Sequence, residues 1–283
     1  MPTAIVKVYT KDGFVIGADG RCRQAETGVV VSDTAQKIFP IINPDRTLAY
    51  ALYGTLGITD ASNQSVVVDL ASAIHKSVSA MAQSPARHDL TWYVSKLWPP
   101  AYEALLRVSK NKEIGPFPDA PGDPGLIAHV FFWGYYRGTA AEMDLQFRHE
   151  NQKIIRPRLR PSQRIKALDI CGSLKVANSV ISSDDPRFAK YRTPATDLRN
   201  KKSLSLTDGI DIVQSYIRAC DSDEGREIDS LCAGIGGHIH IALVTPSGFR
   251  WHIPPHELTS AGFETKPMSQ EKTLPKSECR PRK

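Results

Sequence analysis

Three groups of side chains in this sequence are of types that can carry out catalysis or bind metal ions. The first combines a hydroxyl, a carboxylate and an amine within the first forty residues, at Thr3, Asp19 and Lys37. The second is a group of four histidines near the end of the chain, and the third is a set of five cysteines. A threonine hydroxyl is a weak nucleophile that needs a nearby base, whereas imidazoles and thiolates are common zinc ligands. The possible chemistry therefore depends on which of these groups the fold brings together.

The four histidines are His238, His240, His252 and His256. His238 and His240 are two residues apart, so they would share one face of a strand. No cysteine or acidic residue completes a recognised zinc-ligand spacing with them. We interpret them as strand-edge histidines, and we expect neither a metal ion nor a cofactor.

The five cysteines are Cys22, Cys171, Cys220, Cys232 and Cys279. Their number is odd and no two form a CxxC pair, which favours reduced thiols over a disulfide framework or a zinc site. Cys22 would be a candidate nucleophile only in a fold other than the one inferred below. The cysteine pattern therefore indicates a reducing compartment.

The composition is that of an ordinary globular protein: 283 residues, 41% apolar and 23% charged. No run of apolar residues approaches the roughly 18 needed to cross a membrane. The N-terminal residues also lack the apolar segment of a secretory signal. We expect a cytoplasmic protein that does not interact with membranes.

The formal net charge is +6, and much of the excess lies in a basic run at 156–166 and in the tail. The run has no interleaved aromatic residues, so stacking on single-stranded nucleic acid has no support. We favour an exposed loop, or an edge that contacts a neighbouring subunit, over a nucleic-acid-binding surface.

The first fifty residues predict a series of short β-strands. Residues 4–9 and 14–18 are apolar segments joined by a turn containing Asp12-Gly13, which strongly indicates a β-hairpin. Further strands are predicted at 29–31, 38–42 and 48–52.

The hydrophobic periodicity changes after residue 60. Apolar residues recur every three or four positions from 60 to 82, which predicts an amphipathic helix. A second helical stretch, 89–108, contains Pro99-Pro100 and should be kinked or split there. Residues 111–125 hold four prolines and three glycines and predict an irregular loop.

The second half of the chain repeats the change from strands to helix to strands. A helix should follow Thr207, with Ser205 or Thr207 as its N-cap. The remaining strands are predicted at 126–136, 143–147, 167–171, 238–244 and 249–253. Because strands and helices come in separate blocks, we predict an α+β fold of antiparallel sheets with helices packed outside. One domain, 1–257, should precede a polar, basic tail, 258–283, that we expect to be disordered.

Four segments carry a resemblance to a known family: Thr3-Ala4-Ile5-Val6, Asp12-Gly13, Ile16-Gly17-Ala18-Asp19-Gly20-Arg21 and residues 32–38. Together they look like the start of a proteasome β-type subunit, which belongs to the N-terminal-nucleophile hydrolases. In that family a threonine becomes the first residue of the mature chain and an aspartate follows sixteen positions later, as Asp19 follows Thr3. Lys37 matches the family lysine if two residues are inserted in the preceding hairpin.

The resemblance implies a four-layer αββα sandwich of two antiparallel sheets flanked by helices. It implies that Thr3 is the nucleophile and that its α-amine is the base, once Met1 and Pro2 have been removed. Lys37 would lower the pKa values of the hydroxyl and the amine, and Asp19 would hold Lys37.

Two further positions are implied by the same resemblance. Gly54 occupies the place of the glycine that donates its N–H to the oxyanion, and Ser173 matches a serine that helps to bind the amine. The family places an aspartate and a serine just before a Gly-Gly pair that matches Gly236-Gly237, but Cys232 and Ile235 stand there. Asp229 could take the place of the aspartate only through a shift of three residues.

The function implied is a threonine peptidase that cleaves peptide bonds in peptides or unfolded proteins through an acyl-enzyme on Thr3. Such subunits commonly form rings, so the resemblance also implies a homo-oligomeric ring and allows an ATP-dependent unfoldase as partner. The alternative is a non-catalytic ring or scaffold subunit that keeps its first two residues. A nucleic-acid-binding protein is a weaker third hypothesis.

Overall fold

The computed structural model describes residues 3–23, 28–59, 66–83, 88–109, 117, 119–120, 123–162, 164–183, 185–198 and 203–256. The predicted tail, 258–283, and most of the predicted loop at 111–125 lie outside the described residues. No described helix is both long and apolar enough to cross a membrane.

Fifteen strands and six α-helices occur in the described parts of the chain. The strands are β1 (Ile5–Thr10), β2 (Gly13–Ala18), β3 (Cys22–Arg23), β4 (Val30–Ser32), β5 (Ile38–Asn43), β6 (Arg46–Gly54), β7 (Gly57–Thr59), β8 (Val66–Asp69), β9 (Leu126–Tyr136), β10 (Thr139–Glu150), β11 (Lys153–Ile154), β12 (Arg158–Pro161), β13 (Leu168–Cys171), β14 (His240–Thr245) and β15 (Gly248–Ile253). The helices are α1 (Leu70–Gln83), α2 (Leu90–Ser95), α3 (Trp98–Ser109), α4 (Leu174–Ala177), α5 (Leu206–Cys220) and α6 (Asp223–Ile228).

Two antiparallel sheets form the centre of the fold. The first has the strand order β13-β1-β2-β14-β15, and the second has the order β11-β10-β9-β6-β5, with β12 also paired to β10. The predicted Asp-Gly hairpin is confirmed, because β1 pairs with β2 from Ile5–Ala18 to Thr10–Gly13. The basic run contributes β12, an edge segment of the second sheet.

Three apolar clusters pack around the two sheets. One lies between them and joins Phe14 and Ile16 of the first sheet to Ala49 and Trp133 of the second. Another covers the other side of the first sheet, where Val213 of α5 packs among its residues. The third joins the second sheet to α1, α2 and α3. The chain is thus a mixed fold of antiparallel sheets and helices, as the α+β prediction expects.

A buried ion pair also crosses between the sheets. Lys7 lies in the middle of β1, and its Nζ donates to Glu142 Oε2 of β10 at 2.8 Å and to the carbonyl of Lys166 at 2.8 Å. The Lys7 side chain is fully buried and that of Glu142 is 6% exposed. The pair therefore ties β1 to β10 inside the protein.

Two helix boundaries differ from the sequence prediction. Helix α1 begins at Leu70 rather than near residue 60, because 66–69 form strand β8 against β7. Three consecutive valines favour a strand there, and Asp69 then caps the helix by accepting the N–H of Ser72. The second helical stretch is split, as predicted, but the prolines lie in the first turn of α3, where they are tolerated.

The helix predicted after Thr207 is confirmed with Ser205 as its N-cap. Ser205 accepts the N–H of Asp208, and the Asp208 side chain accepts the N–H of Ser205, which makes a capping box.

Candidate functional site

The hydroxyl, carboxylate and amine identified in the sequence lie close together at one edge of the space between the two sheets. Thr3 lies just before β1, Asp19 follows β2 directly, and Lys37 directly precedes β5. Lys37 Nζ lies 2.7 Å from Asp19 Oδ1 and 3.2 Å from Thr3 Oγ1. All three side chains are buried. The structure thus brings together three groups that are up to 34 residues apart in sequence.

The register of the first hairpin explains why Asp19 reaches Thr3. Ile5 pairs with Ala18, so the next residue of each strand, Ala4 and Asp19, also face each other. The N–H of Ala4 donates to Asp19 Oδ1 at 2.9 Å, and the N–H of Asp19 donates back to the carbonyl of Ala4. Thr3 is therefore one residue from the point where the carboxylate is fixed.

Asp19 is held as a hydrogen-bond acceptor from several directions. Besides Lys37 and the N–H of Ala4, it accepts the N–H of Arg21 at 3.2 Å and that of Gly236 at 3.1 Å. Full burial raises the pKa of Asp19, and the positive charge of Lys37 and these N–H donors oppose that rise. Its carboxylate therefore lies in a site built to hold Lys37 in place.

Every hydrogen of the Lys37 ammonium has an acceptor. The third bond, beside those to Asp19 and Thr3, goes to the carbonyl of Arg21 at 2.7 Å. Because an ammonium has three donors and no acceptor, Lys37 can stabilise negative charge on Thr3 Oγ1.

Gly54 is the last residue of β6, at the same edge of the space between the two sheets. It has φ +97, and a Cβ there would lie 2.4 Å from the carbonyl oxygen of Ile127 on β9. Only glycine fits this position without moving the backbone. The oxyanion role of Gly54 remains a prediction.

Ser173 follows β13 by two residues, after a glycine that lies against the backbone of Thr3. Ile5 pairs with Cys171, and a Cβ added at Gly172 would lie 3.1 Å from the carbonyl oxygen of Thr3. Ser173 is fully buried and donates its hydroxyl proton to Asp229 Oδ2 at 2.7 Å. Its Oγ also accepts the N–H of Val176 and so caps α4.

Asp229, three residues before the Cys232 position at which the resemblance implies an aspartate, accepts a hydrogen bond from the hydroxyl of Ser173. The intervening residues form a short 3₁₀-helix, Ser230–Gly234, which Asp229 caps by accepting the N–H of Leu231. Ile235, at the expected serine position, is fully buried in the apolar cluster beside α5.

Two other residues at the site escaped sequence reasoning. Arg21 bonds to Asp33, Asp221 and the carbonyl of Ile235, and thereby braces the loop that supplies the Gly236 N–H. The second is His240, whose Nε2 accepts the backbone N–H of Lys37 at 3.1 Å. Nothing in the sequence distinguishes this histidine from its neighbours.

The late histidines do not converge on a common point. His240 faces Lys37, whereas His238 bonds to the carbonyl of Pro254 and its ring contacts that of His256 in a tilted arrangement. Among the described residues no group of three His, Cys, Asp or Glu side chains could hold a metal ion.

No family model matches the chain, and no curated protein matches it significantly. The solved structures that are similar to it include three structures of Anbu proteins. Anbu from Hyphomicrobium sp. strain MC1 is 12% identical, with a TM-score of 0.47, and the match covers 90% of this chain and 89% of that chain. A Gly-1 mutant of Anbu from the same strain is 13% identical, with a TM-score of 0.47 and the same coverage of 90% and 89%. Anbu from Yersinia bercovieri, described as an ancestral beta-subunit, is 12% identical, with a TM-score of 0.49 and coverage of 89% and 88%.

This comparison corrects the family inferred from the sequence. The similar structures are Anbu proteins, a proteasome-like but distinct family, and none of the three is a proteasome β-type subunit. The motifs behind the original inference are short, and they mark a set of side chains rather than a family. A similarity at this level assigns neither a reaction nor a substrate to this chain.

Proposed function

We propose that the protein is a threonine hydrolase that cleaves peptide bonds through an acyl intermediate on Thr3. The proposal rests on one observation: Lys37 Nζ bridges Thr3 Oγ1 and Asp19 Oδ1 within 3.2 Å inside the protein. A buried hydroxyl that receives a hydrogen bond from an ammonium, itself fixed by a carboxylate, is a preorganised nucleophile.

The hydrogen bonds of the site support the α-amine of Thr3 as the base. Because Lys37 donates to Thr3 Oγ1, the hydroxyl proton must go elsewhere when the oxygen attacks. The α-amine of Thr3 can accept it, directly or through a water, if Thr3 is the first residue of the mature chain. This mechanism requires the removal of Met1 and Pro2.

The reaction then has two steps. Thr3 Oγ1 adds to the substrate carbonyl, Lys37 stabilises the charge near the attacking oxygen, and the Gly54 N–H binds the oxyanion. The C–N bond breaks as the leaving amine takes the proton held by the Thr3 amine. Water, activated by the same amine, then hydrolyses the ester on Thr3 and restores the hydroxyl.

Ser173 and Asp229 support the amine in this proposal. They are buried and bonded to each other at 2.7 Å. A carboxylate near an ammonium favours its charged form, so the pair would help the amine to hold the proton it receives.

The four-layer αββα sandwich is part of the same proposal. The cluster between the sheets and the two clusters on their other sides support it. In that arrangement the catalytic groups would lie between the two sheets, at the edge where the space between them is open to solvent.

Two preparations of the protein separate the removal of Met1 and Pro2 from catalysis by Thr3. One preparation is the chain as encoded, and the other is released from an N-terminal fusion so that Thr3 is the first residue. A β-lactone probe should acylate the second at Thr3 and leave its Thr3→Ala variant unlabelled. Equal labelling of the Thr3→Ala variant, or no labelling of the chain that begins at Thr3, would disprove the proposal.

One sequence feature favours a second function. Pro2 precedes Thr3, and its ring restricts the backbone that must rearrange for self-processing. A chain that retains Pro2 would be a non-catalytic ring or scaffold subunit. In either case we propose a homo-oligomeric ring, with an ATP-dependent unfoldase as a possible partner of the catalytic form, and native mass spectrometry would give the subunit number.

A further inference from the structure

One histidine connects the two sheets at the candidate site. His240 is the first residue of β14, and its Cα faces that of Ala18, the residue before Asp19. Its side chain is fully buried, and its Nε2 accepts the backbone N–H of Lys37 at 3.1 Å. The bond therefore runs from a strand of the first sheet to the residue that opens β5 in the second.

The three reacting groups do not belong to the same sheet. Thr3 and Asp19 flank strands of the first sheet, whereas Lys37 precedes β5, an edge strand of the second. The distance from the Lys37 ammonium to Thr3 and Asp19 therefore depends on how the two sheets are positioned relative to each other at this edge. The His240 bond fixes the backbone from which that side chain starts.

The ring is suited to this role because it stays neutral. Burial, together with the positive charge of Lys37, lowers the pKa of His240 to about 3. Since Nε2 accepts the hydrogen bond from the backbone N–H of Lys37, the ring proton lies on Nδ1. That Nδ1 is buried and makes no close, well-aligned hydrogen bond among the described residues, although the backbone of His238 lies near enough to oppose part of the fall in the pKa of His240.

An unpaired buried donor costs stability. The histidine therefore keeps the backbone N–H of Lys37 paired while leaving its own Nδ1 donor unpaired, whereas an apolar ring would remove the Nδ1 donor and leave the Lys37 N–H unpaired instead.

We propose that His240 is a positioning residue that sets the place of Lys37 relative to Thr3 and Asp19. The inference rests on the proposed function for its effect on rate, but the placement of Lys37 can be measured without any reaction. Glutamine can present an oxygen near the position of Nε2, whereas phenylalanine keeps the ring volume and removes the acceptor. His240→Gln and His240→Phe therefore separate the hydrogen bond from the packing.

The first measurement is the rate constant for acylation of Thr3 by a β-lactone in the chain that begins at Thr3. We expect His240→Phe to lose on the order of 10²-fold, because misplacement by about 1 Å has that effect. His240→Gln should recover most of the loss. His238→Phe is the matched control, since His238 contacts Pro254 and His256 rather than Lys37, and it should react like the wild type.

The second measurement is the rate of reductive methylation of Lys37, followed by peptide mapping. Lys37 should be protected in the wild type and in His240→Gln, and should react faster in His240→Phe. If His240→Phe does not fold, His240→Asn replaces it, since its shorter side chain does not reach the Lys37 N–H.

The two proposals fail in different ways. A wild-type chain that does not acylate at Thr3 overturns the proposed function, while the methylation rates still test His240. A folded His240→Phe variant with wild-type acylation and a protected Lys37 overturns the role of His240.

Discussion

Ser173 Oγ donates a 2.7 Å hydrogen bond to Asp229 Oδ2, and both side chains are buried. The two residues are 56 positions apart; the resemblance implied Ser173 directly and Asp229 only through a shift of three residues. In the proposed mechanism their contact would place a carboxylate near the amine that acts as the base. Several consequences of the site can be measured.

Asp229→Asn should slow acylation of Thr3 by about tenfold, equivalent to about 1.4 kcal/mol. The amide keeps the shape of the side chain but removes the charge that would support the ammonium. Asp223→Asn is the matched control, because Asp223 is 90% exposed and pairs only with Arg226 at the surface. Acylation kinetics of both variants check this, and equal rates in Asp229→Asn and the control would contradict it.

Lys37→Met should reduce acylation of Thr3 by about 10²- to 10⁴-fold, the range typical of a lost proton-transfer or charge-stabilising group. It should also lower the free energy of unfolding by about 3–5 kcal/mol, because it leaves Asp19 buried without its cation. Urea unfolding and probe labelling measure the two effects. Lys175→Met, at an exposed position of α4, should change neither. An active Lys37→Met variant would rule out the role given to Lys37.

The ion pair between the sheets should behave as a buried pair. Glu142→Gln leaves the fully buried Lys7 ammonium without a counter-charge and should cost about 3–5 kcal/mol. The double variant Lys7→Met with Glu142→Met should regain most of this stability, since two apolar side chains leave no unpaired charge. Urea unfolding of the single and double variants measures both changes in the free energy of unfolding. A double variant as unstable as the single one would show that the ions themselves hold the sheets.

His240 should make the protein sensitive to acid. Burial holds its pKa at about 3 in the folded chain, against 6.5 for an exposed histidine. Between these values the unfolded chain binds a proton that the folded chain does not. Stability is therefore retained above pH 6.5 and lost as the pH falls towards 3, by about 1.4 kcal/mol per pH unit from this group.

His240→Gln should remove that part of the pH dependence. The free energy of unfolding, measured in urea at several pH values between 6.5 and 4, should fall less steeply in His240→Gln than in the wild type. Parallel curves would mean that His240 is charged in the folded state.

Local patterns were enough to predict most of the elements. The Asp12-Gly13 hairpin and the helix capped by Ser205 carry their signals within a few residues of sequence, and both are confirmed. The predicted start of α1, near residue 60, was wrong because residues 66–69 form β8. That strand depends on pairing with β7, and such pairing leaves no local periodicity in the sequence. Thr3, Asp19 and Lys37 were found because their spacing resembles a known motif.

What the sequence could not provide are contacts that depend on how distant strands are placed. The Lys7–Glu142 pair joins residues 135 positions apart, and the bond from Lys37 to His240 spans 203. A buried lysine in a strand and one histidine among several have no pattern of their own. Asp229 was a candidate only through a shift of three residues, because its contact with Ser173 joins residues 56 positions apart.

The most direct test of the central claim is to map an epoxyketone adduct on the chain that begins at Thr3. An N-terminal threonine can close a ring on this probe through both its hydroxyl and its α-amine, which a threonine inside the chain cannot do. Fragment-ion mass spectrometry should place the whole adduct on Thr3 and show none on the chain that still begins at Met1. An adduct on any other residue, or an unmodified Thr3 in a folded chain, would contradict the claim that the Thr3 hydroxyl is the nucleophile.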